Sequence, residues 1–447
     1  MMGAMVCLLQ AQDSGALVDA LVKKGVLSDQ EAEEIRADLI REYAATPAGK
    51  MELSSSVTRL KLYGDARLRY QFDQSERRTV GGNAQGAANV NNRNRSRARY
   101  RLRFGAEYGL TDNFSGGIAF ASTGGNDSTN FTFDNAFSKD TVDIDLVYLN
   151  YKPIDWASIT VGRQRNIHTT LNNGYTWDGD TNPEGGSLRL GDFKFGGFYV
   201  NSAHGFYFYD DSGDDGFAGN AVGDGNDTIM VANQITLGYS PNKDWAFELT
   251  PGFVFWSDSD PTIAPTGQSG VPTDDLNVLV VDASIKHPLP FDLKGKLYGE
   301  YGVNLTANER QDVLRRGGAI GFPGAPAGVQ SIGDDNGQFF VAGYTIGENK
   351  KKGDWSLDLS YAYFETYSWD ANLADSDFNN SVLNGHGYGI KAVYNFTDFL
   401  TAGVNWRQSW RINDDDFIYN GLTADSNAAA NVINGTQILQ CDVIWKF

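Results

Sequence analysis

From Leu60 to the C-terminus the hydrophobic pattern has period two. Ala98, Tyr100, Leu102, Phe104, Ala106 and Tyr108 alternate with Arg97, Arg99, Arg101, Arg103, Gly105 and Glu107. Successive side chains of an extended strand point to opposite faces, so one face here is apolar and the other polar. Strands of soluble sheets average about 5–6 residues. These runs approach the ~9–11 residues that a tilted strand needs to cross a bilayer. Sixteen such segments lie near 60–72, 97–109, 114–122, 143–152, 157–165, 192–201, 205–210, 228–240, 245–256, 277–286, 293–305, 338–347, 355–367, 385–395, 399–412 and 436–447.

The joints between segments alternate in length. Short ones are 110–113, 153–155, 241–244, 287–290 and 396–398; long ones are roughly 73–96, 123–142, 166–191, 257–276, 306–337 and 413–435. Short turns at one rim and long loops at the other are the topology of an outer-membrane barrel. Phe114, Trp156, Trp245, Phe291, Trp355 and Phe399 follow short turns, while Tyr108, Tyr151, Tyr239 and Tyr394 precede them. On adjacent strands they form a girdle at one membrane interface, where amphipathic rings are most stable. The pattern therefore predicts an all-β membrane protein, a 16-stranded antiparallel transmembrane β-barrel occupying residues 58–447.

Composition agrees. No run of ~20 apolar residues is present, so no membrane helix is expected. A 447-residue chain is long for one soluble core, but lipid covers a barrel's apolar face. The net charge of −19 argues against nucleic acid, which needs a basic footprint. Acids cluster in hydrated loops such as Asp210-Asp211-Ser212-Gly213-Asp214-Asp215, Asp274-Asp275, Asp334-Asp335 and Asp414-Asp415-Asp416.

The first residues differ. Ala4 to Leu9 look like the remnant of a secretory signal peptide, with a cut near Ala11 or Gln12 and residues 1–12 removed. That leaves Cys441 as the single cysteine, with no intramolecular disulfide. Residues 13–45 have helical spacing: Ala16, Leu17, Ala20 and Leu21 form one stripe, and Ala32, Ile35, Leu39 and Tyr43 form another. Gly25 stops the first helix. Ser28-Asp29-Gln30-Glu31 is a capping box that starts the second. A short periplasmic helical hairpin is expected, joined to the barrel by a polar linker over 46–57.

The final strand alternates Gln437, Leu439, Cys441, Val443, Trp445 and Phe447 with polar positions, and ends on Phe447. A terminal aromatic in this setting resembles the C-terminal assembly signal of bacterial outer-membrane porins. Leu17 to Ala32 resembles the N-terminal segment of a porin family that carries such helices, and Val161-Gly162-Arg163-Gln164 is similar to a porin strand motif. The resemblance covers residues 60–447 in pattern. It implies a Gram-negative outer-membrane location with the helical segment and C-terminus periplasmic. It further implies recognition of Phe447 by the barrel-assembly machinery, a homotrimer in outer-membrane lipid, and passive passage of small polar solutes and ions. Small residues Gly295 and Gly299 on the lipid side would allow close packing, or mark strand bends.

Sixteen strands leave an aqueous lumen rather than a filled interior. Parity puts Arg67 and Arg69 on the polar face of the first strand and Arg97, Arg99, Arg101 and Arg103 on that of the second. Lys294, Lys296, Lys391, Arg407, Arg411 and Lys446 also fall on polar faces. Like charges this close need acids or anions nearby. The loop near 166–191 carries Asp178, Asp180 and Glu184; in trimeric general porins the equivalent loop folds inward. The expectation is a constriction in which a basic wall faces an acidic loop, since charged rings set selectivity. The bland alternative is that the arginines pair Asp65, Glu107 and loop acids to hold the wall together. Anion tolerance is the favoured selectivity.

An enzyme is not expected. His168, His204, His287 and His386 have no Ser or carboxylate at a suggestive spacing, and no G-x-S-x-G or HExxH motif occurs. No cofactor or metal is predicted. Asp211 to Gly216 has the carboxylates and glycine of a calcium loop, but Val222 stands where the twelfth-position glutamate belongs. A second functional reading is structural: an envelope protein that tethers the outer membrane to peptidoglycan through its helices.

Overall fold

The computed structural model describes residues 18, 21–45, 54, 56–79, 89–123, 128–133, 136, 139–171, 173–210, 228–257, 276–309, 337–381, 383–412 and 431–447. The signal remnant with Cys7, most of the first helix, most of the linker and the acidic loop stretches beyond Asp210 lie outside the described residues. The chain divides into Met1–Thr58 and Arg59–Phe447.

In the first unit the helix α1 spans Asp29–Ala45. The capping box forms: the Ser28 amide donates to Glu31 Oε2 at 2.9 Å, and the Glu31 amide donates to Ser28 Oγ at 3.3 Å. Before it, Gly25 takes φ +70, and the Val26 amide reaches back to the Leu21 carbonyl at 3.0 Å. This left-handed residue is the stop that glycine supplies without steric cost. Val18 and Ala32 are buried.

The second unit is a closed antiparallel barrel. Its strands are β1 (Arg59–Thr79), β2 (Asn89–Gly109), β3 (Phe114–Thr123), β4 (Phe131–Thr132), β5 (Thr141–Ile154), β6 (Ala157–Arg163), β7 (Glu184–Phe195), β8 (Phe198–Asp210), β9 (Thr228–Tyr239), β10 (Ala246–Trp256), β11 (Asn277–Pro288), β12 (Lys294–Asn304), β13 (Gln338–Gly347), β14 (Trp355–Phe364), β15 (Gly385–Asn395), β16 (Leu400–Arg411) and β17 (Asn431–Lys446). Sixteen form the wall. The two-residue β4 pairs with β2 at Arg99 and Tyr100, beyond the point where β3 ends. Each wall strand pairs with its sequence neighbours, and β1 pairs with β17 from Asp65↔Lys446 to Thr79↔Asn431. Closure removes both sheet edges, as a bilayer requires.

The apolar alternation faces outward. Leu62, Leu68, Phe104, Val161, Ile235, Leu249, Leu297 and Val404 are exposed on the wall. At the short-turn rim Phe114 stacks on Tyr151 and Phe198 on Tyr239, both at 4.4 Å. Trp245 lies 5.8 Å from Phe247, and Trp156 lies 5.7 Å from Phe193.

Several boundaries differ from the sequence pattern: β7 begins at Glu184, inside the loop expected over 166–191, and β17 begins at Asn431, ahead of the expected 436. The expected joint between segments 192–201 and 205–210 is instead the middle of β8. The real turn is Gly196-Gly197, with Gly196 at φ +57 and Phe195 paired to Phe198. A two-residue Gly-Gly turn suits the strand twist, and polar Ser202 and His204 on the outer face obscured the strand around them. The β1–β2 ladder also runs on to Thr79↔Asn89, so most of the supposed loop 73–96 is paired strand.

Inside the barrel an apolar core forms against β9–β14. Met230, Val254, Val278, Val280, Phe339, Val341, Ala362 and Phe364 face inward and pack with Leu171, Trp177, Trp369, Leu373 and Phe378. The last five come from two loops, 164–183 and 365–384, folded into the lumen.

Candidate pore constriction

The register of β1 and β2 sets the arginines opposite one another: Asp65↔Arg103, Arg67↔Arg101, Arg69↔Arg99 and Gln71↔Arg97. All six guanidiniums occupy one patch of inner wall. Repulsion is relieved by acids from several elements. Arg101 and Arg103 bond Asp65 at 2.6 and 3.0 Å. Arg97 reaches Asp73 at 2.9 Å. Arg69 grips Asp442 through Nε and Nη2 at 2.7 and 2.8 Å and lies 3.7 Å from Asp377. Arg67 lies 3.9 Å from Asp442 and donates to Asn130.

Arg99 is different. Its guanidinium donates to Gln71 Oε1 at 3.1 Å, to the Asn130 carbonyl at 3.3 Å and to Ser128 Oγ at 3.4 Å. Among the described residues it meets no carboxylate within ion-pair distance. Neutral acceptors hold the group in place without cancelling its charge.

Asp180 of loop 164–183 faces this wall, with Oδ1 4.0 Å from both Arg101 and Arg103. Thr129 Oγ1 donates to its other oxygen at 2.8 Å. Asp178 instead caps its own turn, accepting from the Asp180 amide at 2.9 Å. Glu184 does not join the patch. It opens β7 and pairs with Arg163 at 2.5 Å, on the outer-face parity of Ile159 and Val161. Glu107 pairs with Lys61 at 3.7 Å rather than with an arginine.

The second loop, 365–384, completes the narrowing. Trp369 Nε1 donates to the Thr176 carbonyl at 2.8 Å. The Asp178 amide donates to the Leu373 carbonyl at 2.8 Å, and the Asp375 amide to the Tyr175 carbonyl at 3.0 Å. Arg407 of β16 holds both loops. It donates to Asp375 Oδ2 at 3.2 Å and to the Gly174 carbonyl at 2.9 Å. Burial pushes the Asp375 carboxyl up despite Arg407. Asp377 is held low against burial by Arg69 and Arg407. On the far wall Glu300 accepts from Asn173 at 2.8 Å, and Asn173 Oδ1 caps the Tyr175 and Thr176 amides at 2.8 and 3.1 Å.

The root of the first loop is pinned to β9. Gln234 Oε1 accepts from the Thr169 and Thr170 amides at 2.9 and 3.2 Å. His168 Nε2 lies 3.0 Å from the Ala232 carbonyl, and burial pushes this imidazole down to about 4.

On the short-turn side of the loops a cavity of about 320 Å³ is lined by Tyr175, Tyr298, Asp358, Ser360, Lys391 and Arg407 among others. Lys296 lies 5.5 Å from the Tyr298 ring. Lys294 pairs with Glu348 at the rim, 3.2 Å away, and Arg411 ends β16 opposite Gly385. Phe447 exchanges backbone hydrogen bonds with Gly64 at 2.9 and 3.0 Å. No group of metal-ligating side chains occurs among the described residues.

The family model described as "Putative porin" matches residues 24–254. The chain belongs to that family. Family and barrel together make it an outer-membrane channel rather than an enzyme. No curated protein sequence matches it. Among solved structures it is similar to Pseudomonas putida OprB at high pH, with 10% identity, TM-score 0.47, and 87% of this chain and 94% of that chain covered. Salmonella typhi OmpF in complex with daunomycin gives 12% identity, TM-score 0.46 and coverages of 89% and 100%. Vibrio cholerae OmpT lacking loop L8 gives 9% identity, TM-score 0.41 and coverages of 88% and 100%.

Proposed function

We propose that this porin is a passive diffusion channel for small hydrophilic solutes and ions, narrowed where loops 164–183 and 365–384 meet the arginine wall. The observation that carries the reading is the charge balance at that level. Five carboxylates, Asp65, Asp73, Asp180, Asp377 and Asp442, answer six guanidiniums, and Arg99 is the one left without an acid. A near-neutral ring with one uncompensated cation passes both ion signs and favours anions mildly. Opposed charges across a narrow passage also orient polar solutes and disfavour apolar ones, whose desolvated surface gains nothing there.

Barrel ends Arg59 and Lys446 lie on the short-turn rim, which supports a periplasmic location for the helical segment and for Phe447. In this reading the barrel-assembly machinery engages the Phe447 strand, and the channel works as a homotrimer. Planar-bilayer recording tests the function: reversal potentials in a salt gradient shift toward cation preference in Arg99→Ala, and an unchanged potential contradicts the constriction.

A further inference from the structure

One row of the strand register crosses the inner wall from β12 to β16. Lys296, Thr345, Asp358, Lys391 and Asn405 stand opposite one another in turn. Asp358 and Lys391 both line the cavity of about 320 Å³ beneath the inward loops. Opposite charges facing each other across a ladder ordinarily attract and pair. Here they are held apart. Asp358 is drawn toward β12 and β13, where its two oxygens accept from Tyr298 Oη at 3.0 and 3.2 Å and one of them accepts from Thr345 Oγ1 at 2.6 Å. Lys391 is exposed to the cavity. Among the described residues it meets no carboxylate within ion-pair distance.

Arg407, the other cation lining this cavity, is already answered by Asp375 at 3.2 Å. The cavity therefore presents one anion and one cation that do not cancel each other. An ionised carboxylate has about four acceptor sites, so two hydroxyl donors leave Asp358 room for another.

Two glycines keep the space open. A side chain at Gly343 would collide with the Tyr298 ring, and one at Gly389 would collide with Tyr175 Oη and Ser360 Oγ. With both positions bare, the two tyrosines lie across the wall and line the cavity. Their hydroxyls are fixed, one on Asp358 and the other 2.7 Å from Ser360 Oγ. Separated charges in a confined pocket act on a ligand more strongly than the same charges in open water.

This arrangement discriminates by charge. A simple anion meets Lys391 but also faces Asp358, and a simple cation meets the reverse. A neutral solute answers neither charge. A zwitterion answers both, and residues opposite one another on a ladder have Cβ atoms only about 5 Å apart, a gap that the adjacent charges of an α-amino acid bridge.

We propose that this cavity is a binding subsite for a small zwitterion of the α-amino acid class, with its carboxylate on Lys391 and its ammonium on Asp358. Lys296 lies at the far end of the row, 5.5 Å from the Tyr298 ring. It adds positive potential, so the carboxylate end is held the harder. The subsite rests on the reading of the lumen as open to solutes, and lies on a different stretch of wall from the arginine patch of β1 and β2.

The test is saturation-transfer NMR on the refolded full chain in detergent micelles at pH 7, which detects weak binding and needs no current. The probes are L-alanine, L-lactate, L-alaninamide and L-lactamide, which share a shape and carry both charges, the negative one, the positive one and neither. Alanine is expected to bind several-fold tighter than lactate, and lactate tighter than alaninamide or lactamide. Lys391→Met is expected to weaken alanine and lactate alike, several-fold. Asp358→Asn is expected to weaken alanine several-fold and leave lactate as tight or tighter. Heat-modifiable gel migration verifies that each variant is folded. No binding of alanine, lactate or lactamide bound as tightly as alanine, or Asp358→Asn weakening alanine and lactate alike overturns the proposal. The expected rank order together with silent planar bilayers supports the subsite and contradicts the channel reading alone.

Discussion

The guanidinium of Arg407 lies over the ring of Tyr175, 4.5 Å from its centroid. The same group bonds Asp375 and the Gly174 carbonyl, so one side chain from the wall ties both inward loops. Removing one partner of a buried ion pair strands the other and costs about 3–5 kcal/mol. Arg407→Ala is therefore expected to loosen the loops, seen as raised open-channel noise and conductance in single-channel records. Arg407→Lys keeps the charge but loses the planar fork, and should fall between wild type and alanine.

Arg99 and Arg101 make a selectivity contrast. Arg101 shares Asp65 and Asp180 with Arg103, so its loss frees acid, whereas loss of Arg99 removes uncompensated positive charge. Both variants should become less anion-tolerant, and Arg101→Ala should also bind cations in the lumen. Reversal potentials in a potassium chloride gradient measure the first effect, and voltage-dependent block by a divalent cation the second.

Trp369 is fully buried between Phe339, Trp256 and the Thr176 carbonyl. Trp369→Ala is expected to cost about 3–5 kcal/mol in attachment of loop 365–384. The barrel, whose ladders do not depend on this ring, should still assemble. Limited proteolysis after Glu365 checks the loop, and heat-modifiable migration checks the barrel.

Attachment of loop 164–183 depends on pH through His168. The imidazole is neutral when folded, pushed down to about 4, while a released loop protonates near the free value of about 6.5. Loop attachment is thus full above about pH 6.5 and weakens as pH falls toward 4, by about 3 kcal/mol in total. Channel noise should rise over that window and the rise should vanish in His168→Gln, read in bilayers titrated from pH 7 to 4.

The wall was legible in the sequence because lipid outside and water inside impose opposite demands on alternate residues. Ala98 to Tyr108 show this without any tertiary knowledge. The arginine patch followed from the same parity, since β1 and β2 are neighbours in sequence and in space. The acids Asp442, Asp377 and Asp73 were harder to assign. Asp442 reaches Arg69 only because the last strand closes on the first, and Asp377 only because its loop folds inward.

The second loop was missed, yet a signal exists. At the outer ends of β10, β11, β13 and β14 the alternation fails: Phe253-Val254-Phe255-Trp256, Val278-Leu279-Val280-Val281, Phe339-Phe340-Val341 and Tyr361-Ala362-Tyr363-Phe364 are apolar on both faces. An inner face this apolar needs a cover that is not water. Residues 365–384 supply it, carrying Tyr367, Trp369, Leu373 and Phe378 where a solvated loop has none. Glu184 misled because it is adjacent to the acidic loop in sequence, while strand parity turns it outward.

Single-channel recording of the refolded wild-type protein decides whether the lumen conducts past the two inward loops. Discrete steps are expected, with conductance that rises in proportion to salt and mild anion preference, and with larger steps in Arg407→Ala. Folded barrels that insert but give no current above the bare bilayer would contradict a conducting lumen.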